Sequence, residues 1–139
     1  MPKTSRVTLL VVSSLLIAGS AYADVAIIVN PANAAAISTE DIKSLFSGRQ
    51  KSFTDGKTAL VLSLEENNPT RSEFNNAVLG KTDAQMKAYW SKLLFTGKGT
   101  PPKELTAAEM LELIAANPNT IGYIDAASVN DAVKVIATF

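Results

Sequence analysis

The residues best suited to binding chemistry follow an apolar segment and open a predicted helix. Ala59 to Leu64 predicts a buried strand, and Asn67-Asn68-Pro69 follows as a helix start, since proline fits the first helical position after an asparagine cap. A helix start offers unpaired N–H groups and a partial positive charge, which suit an anion. Thr70 adds a hydroxyl donor, and Arg71 adds a planar cation that can hold two oxygen atoms. Asn68, Thr70 and Arg71 are therefore the candidate anion site.

The same side chains also have a purely structural interpretation. Asn68 and Thr70 are residue types that cap helices, and helix caps are much commoner than ligand sites. Arg71 lies on the inward stripe of the predicted helix, where pairing with Glu65, Glu66 or another acid would occupy it. An Arg71 held by an internal carboxylate would argue against the anion site. A free amide, a hydroxyl and the guanidinium converging within hydrogen-bond reach would support it.

The composition removes several kinds of chemistry. The chain has no His and no Cys, so it has no imidazole base, no thiolate nucleophile and no zinc–thiolate site. Gly97-Lys98-Gly99-Thr100 lacks the earlier glycine that a phosphate loop requires, because that position is Lys92. A hydrolase would need a catalytic base that the sequence does not show. We therefore predict no catalytic residue, no enzyme activity, no metal site and no cofactor.

Residues 1–23 have the pattern of a secretory signal peptide. Lys3 and Arg6 precede an apolar run, and Ala21-Tyr22-Ala23 has the small-x-small pattern of a cleavage site. The alternative is a membrane anchor, but the run of about a dozen apolar residues is shorter than the roughly 20 that span a bilayer. We expect cleavage after Ala23 and no membrane span in the remainder. Secretion without cysteine favours a bacterial periplasm.

Residues 24–139 are predicted to form one α/β domain with a single mixed sheet and layered helices. Val25 to Val29 predicts a strand buried on both faces, and Ile121 to Ile124 and Val133 to Phe139 predict two more. Helices are expected after four capping positions, Ser38, Asn68, Thr82 and Thr106. This part carries 11 basic and 13 acidic side chains, a balance that argues against a nucleic-acid partner.

The third of these helices has the most regular apolar pattern. Its apolar residues recur at spacings of three and four and form one face, comprising Met86, Tyr89, Trp90, Leu93 and Leu94. We predict a strongly amphipathic helix, followed by a loop over residues 97–102.

Several ordered segments resemble periplasmic phosphate-binding proteins, the substrate-binding components of phosphate ABC transporters. The resembling segments are Ile37 to Gly48, Asn68 to Phe74 and Asn119 to Ile124, and Leu94 to Pro102 is similar to a subgroup of short, single-domain relatives. The resemblance implies one lobe of a type 2 periplasmic-binding-protein fold, because the chain is about half the length of two-lobed members.

The resemblance also implies a modified phosphate site. Thr70 matches a family ligand, but Asn68 stands where the family has serine, and Pro69 replaces a glycine and so loses one N–H donor. A further family arginine falls near Leu64 and is missing. Arg71 matches an arginine that is not the family's main ligand.

Two hypotheses of different classes follow. The first is a periplasmic solute-binding-like protein that takes phosphate or a similar oxyanion, with a link to phosphate ABC transport. The alternative is a ligand-free protein-interaction module that docks on a periplasmic sensor, a porin or another copy of itself as a homodimer. The missing lobe motivates the alternative, because it would leave the face of the binding cleft uncovered.

Overall fold

The computed structural model describes residues 24–139, and the predicted signal peptide with its cleavage site lies outside them. The elements in chain order are β1 (Val25–Val29), α1 (Thr39–Phe46), β2 (Leu60–Leu64), α2 (Pro69–Phe74), α3 (Asp83–Phe95), β3 (Lys103–Leu105), α4 (Ala107–Ala116), β4 (Thr120–Asp125) and β5 (Lys134–Thr138). A π-helical turn, Asn75–Leu79, continues α2. In the described part of the chain, no helix has the length and apolar character needed to cross a membrane.

The five strands form one mixed sheet in the order β3-β2-β4-β1-β5. β1 runs antiparallel to both of its neighbours, and β2 runs parallel to β3 and β4. In the β1–β4 pair, Val25 lies opposite Asp125 and Val29 opposite Ile121. The mixed-sheet α/β domain predicted from the sequence is confirmed. The three parallel strands end at the same edge of the sheet, which is where the candidate site lies.

Helices cover both faces of the sheet. All five residues of β1 are buried, as its unbroken apolar sequence predicts. Tyr123 on β4 packs with Phe46 of α1 and Phe74 of α2. The adjacent Gly122 lies against Met110 and Ile114 of α4. Because successive strand residues point to opposite faces, α4 covers the face opposite α1 and α2.

The helix starts agree with the capping patterns in the sequence. Ser38 Oγ accepts from the N–H of Asp41, and the carboxylate of Asp41 accepts from the N–H of Ser38, at 3.1 and 2.9 Å. Thr82 and Gln85 form the same reciprocal pair at the start of α3. These caps satisfy N–H groups that the first helical turn leaves unpaired, so each helix start follows from its local sequence.

Two parts of the sheet and helix assignment differ from the prediction. The sequence pattern predicts no strand at β3, because three residues are too few to show a strand pattern. Its pairing with Leu62 to Leu64 of β2 makes it a strand. The helix that begins at Pro69 was expected to continue unbroken to Gly80, but its regular hydrogen bonding gives way to the π-helical turn after Phe74.

The apolar face of α3 is only partly buried. Met86 and Trp90 are buried, whereas Leu94 is half exposed and the following Phe95 is almost fully exposed. The predicted helix is confirmed, but its apolar face is exposed at the C-terminal end. The stripe there faces an open groove rather than the sheet.

Gly122 provides a test of the packing between β4 and α4. A Cβ on Gly122 would collide with Met110 Sδ and lie 2.9 Å from Ile114 Cδ1. We expect Gly122→Ala to lower the free energy of unfolding by about 1–3 kcal/mol, because a packed core resists added volume. Urea unfolding followed by circular dichroism measures the change.

Gly99→Ala is the matched control. Its Cβ would lie 3.5 Å from Leu93 Cδ1, an ordinary contact. We expect a change within about 0.5 kcal/mol there. Equal stabilities of the Gly122→Ala variant and the parent would contradict the packing described here.

Candidate functional site

The candidate site lies where β2 ends and α2 begins, at the edge of the sheet reached by the carboxyl ends of β2, β3 and β4. Ligands of α/β sheets gather at such edges. α2 has only six residues before the π-helical turn, so its dipole is small. Anion binding there would depend on side chains rather than on the helix start.

Asn68 and Thr70 have both structural and unused groups. The Oδ1 atom of Asn68 accepts from the N–H of Thr70 at 3.0 Å, so this amide caps α2 as the structural interpretation expected. The amide nitrogen of Asn68 has no hydrogen-bond partner in residues 24–139. Thr70 is only 7% exposed, and over the same residues its hydroxyl makes no hydrogen bond. The structure thus leaves one amide donor and one hydroxyl uncommitted at this turn.

Arg71 is held by the protein through one of its two terminal nitrogens. Nη1 donates to the carbonyl of Leu64 at 3.1 Å and to Glu104 Oε1 at 2.6 Å. The partner is an acid on β3 rather than Glu65 or Glu66. The arginine is 20% and the glutamate 44% exposed, so water screens the pair. This is the pairing with an internal carboxylate that argues against the anion site. Nε and Nη2 have no hydrogen-bond partner among the described residues.

A buried tyrosine fixes the end of β2. Tyr123 Oη lies 2.9 Å from Ser63 Oγ and accepts from the N–H of Leu64 at 3.3 Å. Ser63 Oγ donates to the carbonyl of Leu64, the same atom that Arg71 contacts. The ring of Tyr123 stacks on Phe74 with centroids 3.9 Å apart. These contacts join β4, β2 and α2 at one point.

The charges around Arg71 are balanced rather than basic. Arg71 and Lys87 share a cavity of about 210 Å³ with Glu66 and Asp83. Hydrogen bonds from Ser72 and then Asn75 lower the pKa of the Asp83 carboxyl, so this residue is a carboxylate at neutral pH. An incoming anion would meet two cations and two carboxylates on this side of the site.

Comparisons with known proteins link this geometry to one group of structures. No family model and no curated protein matches the chain. Solved structures do match. An ABC-type phosphate transport receptor from Vibrio cholerae is 20% identical with a TM-score of 0.63, over 82% of this chain and 46% of that one. A putative phosphate ABC transporter substrate-binding protein with bound phosphate, from Clostridium perfringens, is 20% identical with a TM-score of 0.61, over 82% and 45%. PstS from Borrelia burgdorferi is 14% identical with a TM-score of 0.60, over 83% and 47%.

This chain has the fold of one lobe of a phosphate-binding protein. The likeness confirms the fold that the sequence resemblance implied. The chain spans about half the length of these proteins, so it matches part of each. Two of the similar structures are named as a phosphate transport receptor and a phosphate ABC transporter substrate-binding protein.

Three residues that shape the candidate site are absent from the sequence prediction, namely Ser63, Glu104 and Tyr123. Tyr123 had a detectable signal, because a tyrosine in a buried strand needs a partner for its hydroxyl. Ser63 had a weaker one, as a polar residue in an apolar strand. Glu104 had no signal in the sequence, since its contact with Arg71 depends on the pairing of β3 with β2.

The Tyr123 cluster predicts how stability responds to alkaline pH. Burial raises the pKa of the Tyr123 phenol above its usual value of 10.0, with the hydrogen bonds that join it to Ser63 and to the N–H of Leu64 opposing the shift. The neutral phenol therefore stabilises the fold fully below pH 10, and this contribution is lost as the pH rises through the folded-state pKa.

Above pH 10, we expect the unfolding free energy of the parent to fall more steeply than that of Tyr123→Phe, by up to about 1.4 kcal/mol per pH unit. At neutral pH, the variant should be less stable by about 1–3 kcal/mol, because Ser63 and the Leu64 N–H lose their partner. Denaturant titrations at several pH values measure both effects. Parallel pH profiles would contradict this account of Tyr123.

Proposed function

We propose that this protein is a periplasmic solute-binding-like protein that binds phosphate or a similar oxyanion at the turn from β2 into α2. The observation that carries the proposal is the Nε–Nη2 edge of Arg71, which is uncommitted within residues 24–139. The phosphate-receptor fold supports it, and the similar Clostridium perfringens structure is named as holding bound phosphate.

Three side chains at this turn would bind the anion together. The Nε–Nη2 edge of Arg71 matches two oxygens of a tetrahedral anion, while Nη1 keeps its contacts with Leu64 and Glu104. The Thr70 hydroxyl and the amide nitrogen of Asn68 supply further donors, and Oδ1 of Asn68 remains in the helix cap. The proposal thus uses the groups that the protein leaves unpaired.

The same geometry predicts weak binding. Glu104 lies 2.6 Å from Arg71 and offsets part of the charge that an anion would meet. Pro69 has no N–H to donate. We also propose a link to phosphate ABC transport, because the similar structures include a phosphate transport receptor and a phosphate ABC transporter substrate-binding protein.

Titration calorimetry with inorganic phosphate and sulfate tests the proposal on a chain beginning at Asp24, which contains every strand and core contact described above. We expect saturable heat with phosphate. Arg71→Ala should weaken binding at least about tenfold, because hydrogen bonds to charged groups contribute about 1.5–3 kcal/mol. Glu104→Gln should strengthen it about two- to fivefold by removing the competing carboxylate.

Lys134→Ala is the control for loss of a positive charge, because Lys134 begins β5 at the far edge of the sheet from β3. It should bind phosphate as the parent does. No heat with either anion, or equal heats from the parent and Arg71→Ala, would refute oxyanion binding at this turn. The ligand-free interaction module would then be the better description.

A further inference from the structure

Charge is distributed unevenly over the described residues. Segments 43–57 and 81–103 hold nine of the eleven basic side chains but only two acids, Asp55 and Asp83. The remaining residues hold eleven acids and two bases. The structure brings the two basic segments together, since Tyr89 Oη on α3 donates to the carbonyl of Ser47 at 2.5 Å. We call the surface formed by these segments the basic face.

Two concavities lie on the basic face, and every charged residue that lines them is a cation. A cavity of about 270 Å³ beside α3 is lined by Lys43, Arg49 and Lys81. A groove of about 810 Å³ along the same helix is lined by Lys51, Lys98 and Lys103. No Asp or Glu lines either one. Across residues 24–139, the ion pair between Arg71 and Glu104 is the single salt bridge, so none of these six cations is neutralised there.

Apolar side chains project from the same face at the C-terminal end of α3. Phe95 is 92% exposed and Leu94 is 52% exposed, and Leu94 also lines the groove. From residue 84 to residue 103 the sequence has four lysines and no acid. Lys92 precedes Phe95 by one helical turn, and Lys98 follows three residues later. An apolar tip is therefore surrounded by positive charge.

The geometry points to the basic face as a docking surface for an anionic lipid bilayer. Phe95 and Leu94 enter the boundary between headgroups and acyl chains, and the surrounding lysines bind the headgroup phosphates. Charge complementarity selects an anionic partner. The protruding Phe95 favours a lipid surface over a folded acidic protein, because a bilayer accepts a projecting side chain without a preformed pocket. The two concavities and the apolar tip use none of Asn68, Thr70 and Arg71, although Asp83 and Lys87 of the basic segments line the cavity beside Arg71.

Flotation with unilamellar vesicles tests this surface on the chain beginning at Asp24, which lacks the apolar run of residues 7–18. Vesicles of equal parts phosphatidylglycerol and phosphatidylcholine are compared with vesicles of phosphatidylcholine alone. We expect binding to the anionic vesicles only, and its loss in about 0.5 M salt, where charges are strongly screened. The emission of Trp90, the sole tryptophan, gives a second readout because Trp90 lines the groove.

Two sets of substitutions distinguish the contribution of the apolar tip to vesicle binding from the contribution of the positive charge. Phe95→Ser should lower partitioning to the anionic vesicles about tenfold. The combined change Lys51→Gln, Lys98→Gln and Lys103→Gln should lower it on the order of a hundredfold, about fivefold for each lysine. Val135→Ser is the matched apolar control on β5, the opposite edge of the sheet from β3, and should partition as the parent does.

Three outcomes would overturn the lipid assignment. The first is no binding to anionic vesicles in low salt. The second is unchanged partitioning of Phe95→Ser together with equally tight binding of the parent to poly-glutamate, which would assign the face to an acidic protein partner. The third is displacement from the vesicles by inorganic phosphate at constant ionic strength, which would make free phosphate the ligand of these cations.

Discussion

The buried hydroxyl of Tyr123 fixes the geometry of the whole candidate site. A phenol in this interior must be hydrogen-bonded, since an unpaired buried polar group costs about 1–3 kcal/mol. Ser63 and the N–H of Leu64 meet that requirement and tie the end of β2 to β4. The ring meanwhile packs against Phe74, which sets the position of α2 and therefore of Thr70 and Arg71. Tyr123 thus joins the sheet, the hydrophobic core and the start of α2 through its own contacts.

Arg71 shows how one guanidinium can serve both stability and binding. Its five N–H donors form two separate edges, and the protein uses Nη1 to join Leu64 on β2 to Glu104 on β3. The pair links a short edge strand to the sheet, which gives it a structural value even without a ligand. Any anion at this turn must therefore share the arginine with Glu104. This competition with Glu104 would weaken the binding of an anion at this turn, whatever the fold around it.

The near-zero net charge of the chain conceals a strong separation of charge. Acids dominate the sheet edge around Glu65, Glu66 and Glu104, whereas cations dominate the surface around α3. Net charge governs solubility and non-specific attraction, whereas the field of an individual charged group extends over about 10 Å at moderate salt. Two sites of opposite character can therefore coexist on one small domain.

Local sequence alone determined four of the five strands, the four helix starts and their caps. The apolar run of β1, the reciprocal pair of Ser38 and Asp41 and the Asn68 cap depend on neighbouring residues, so the chain specifies them without reference to the rest of the fold. The turn that carries Asn68, Thr70 and Arg71 was predictable for the same reason. The tertiary structure alone decided that β3 is a strand, that Glu104 holds Arg71, that Phe95 is exposed and that the two basic segments form one face. Each of these features depends on contacts between residues far apart in sequence or on what packs against a helix. Only the folded chain sets the distances between such residues.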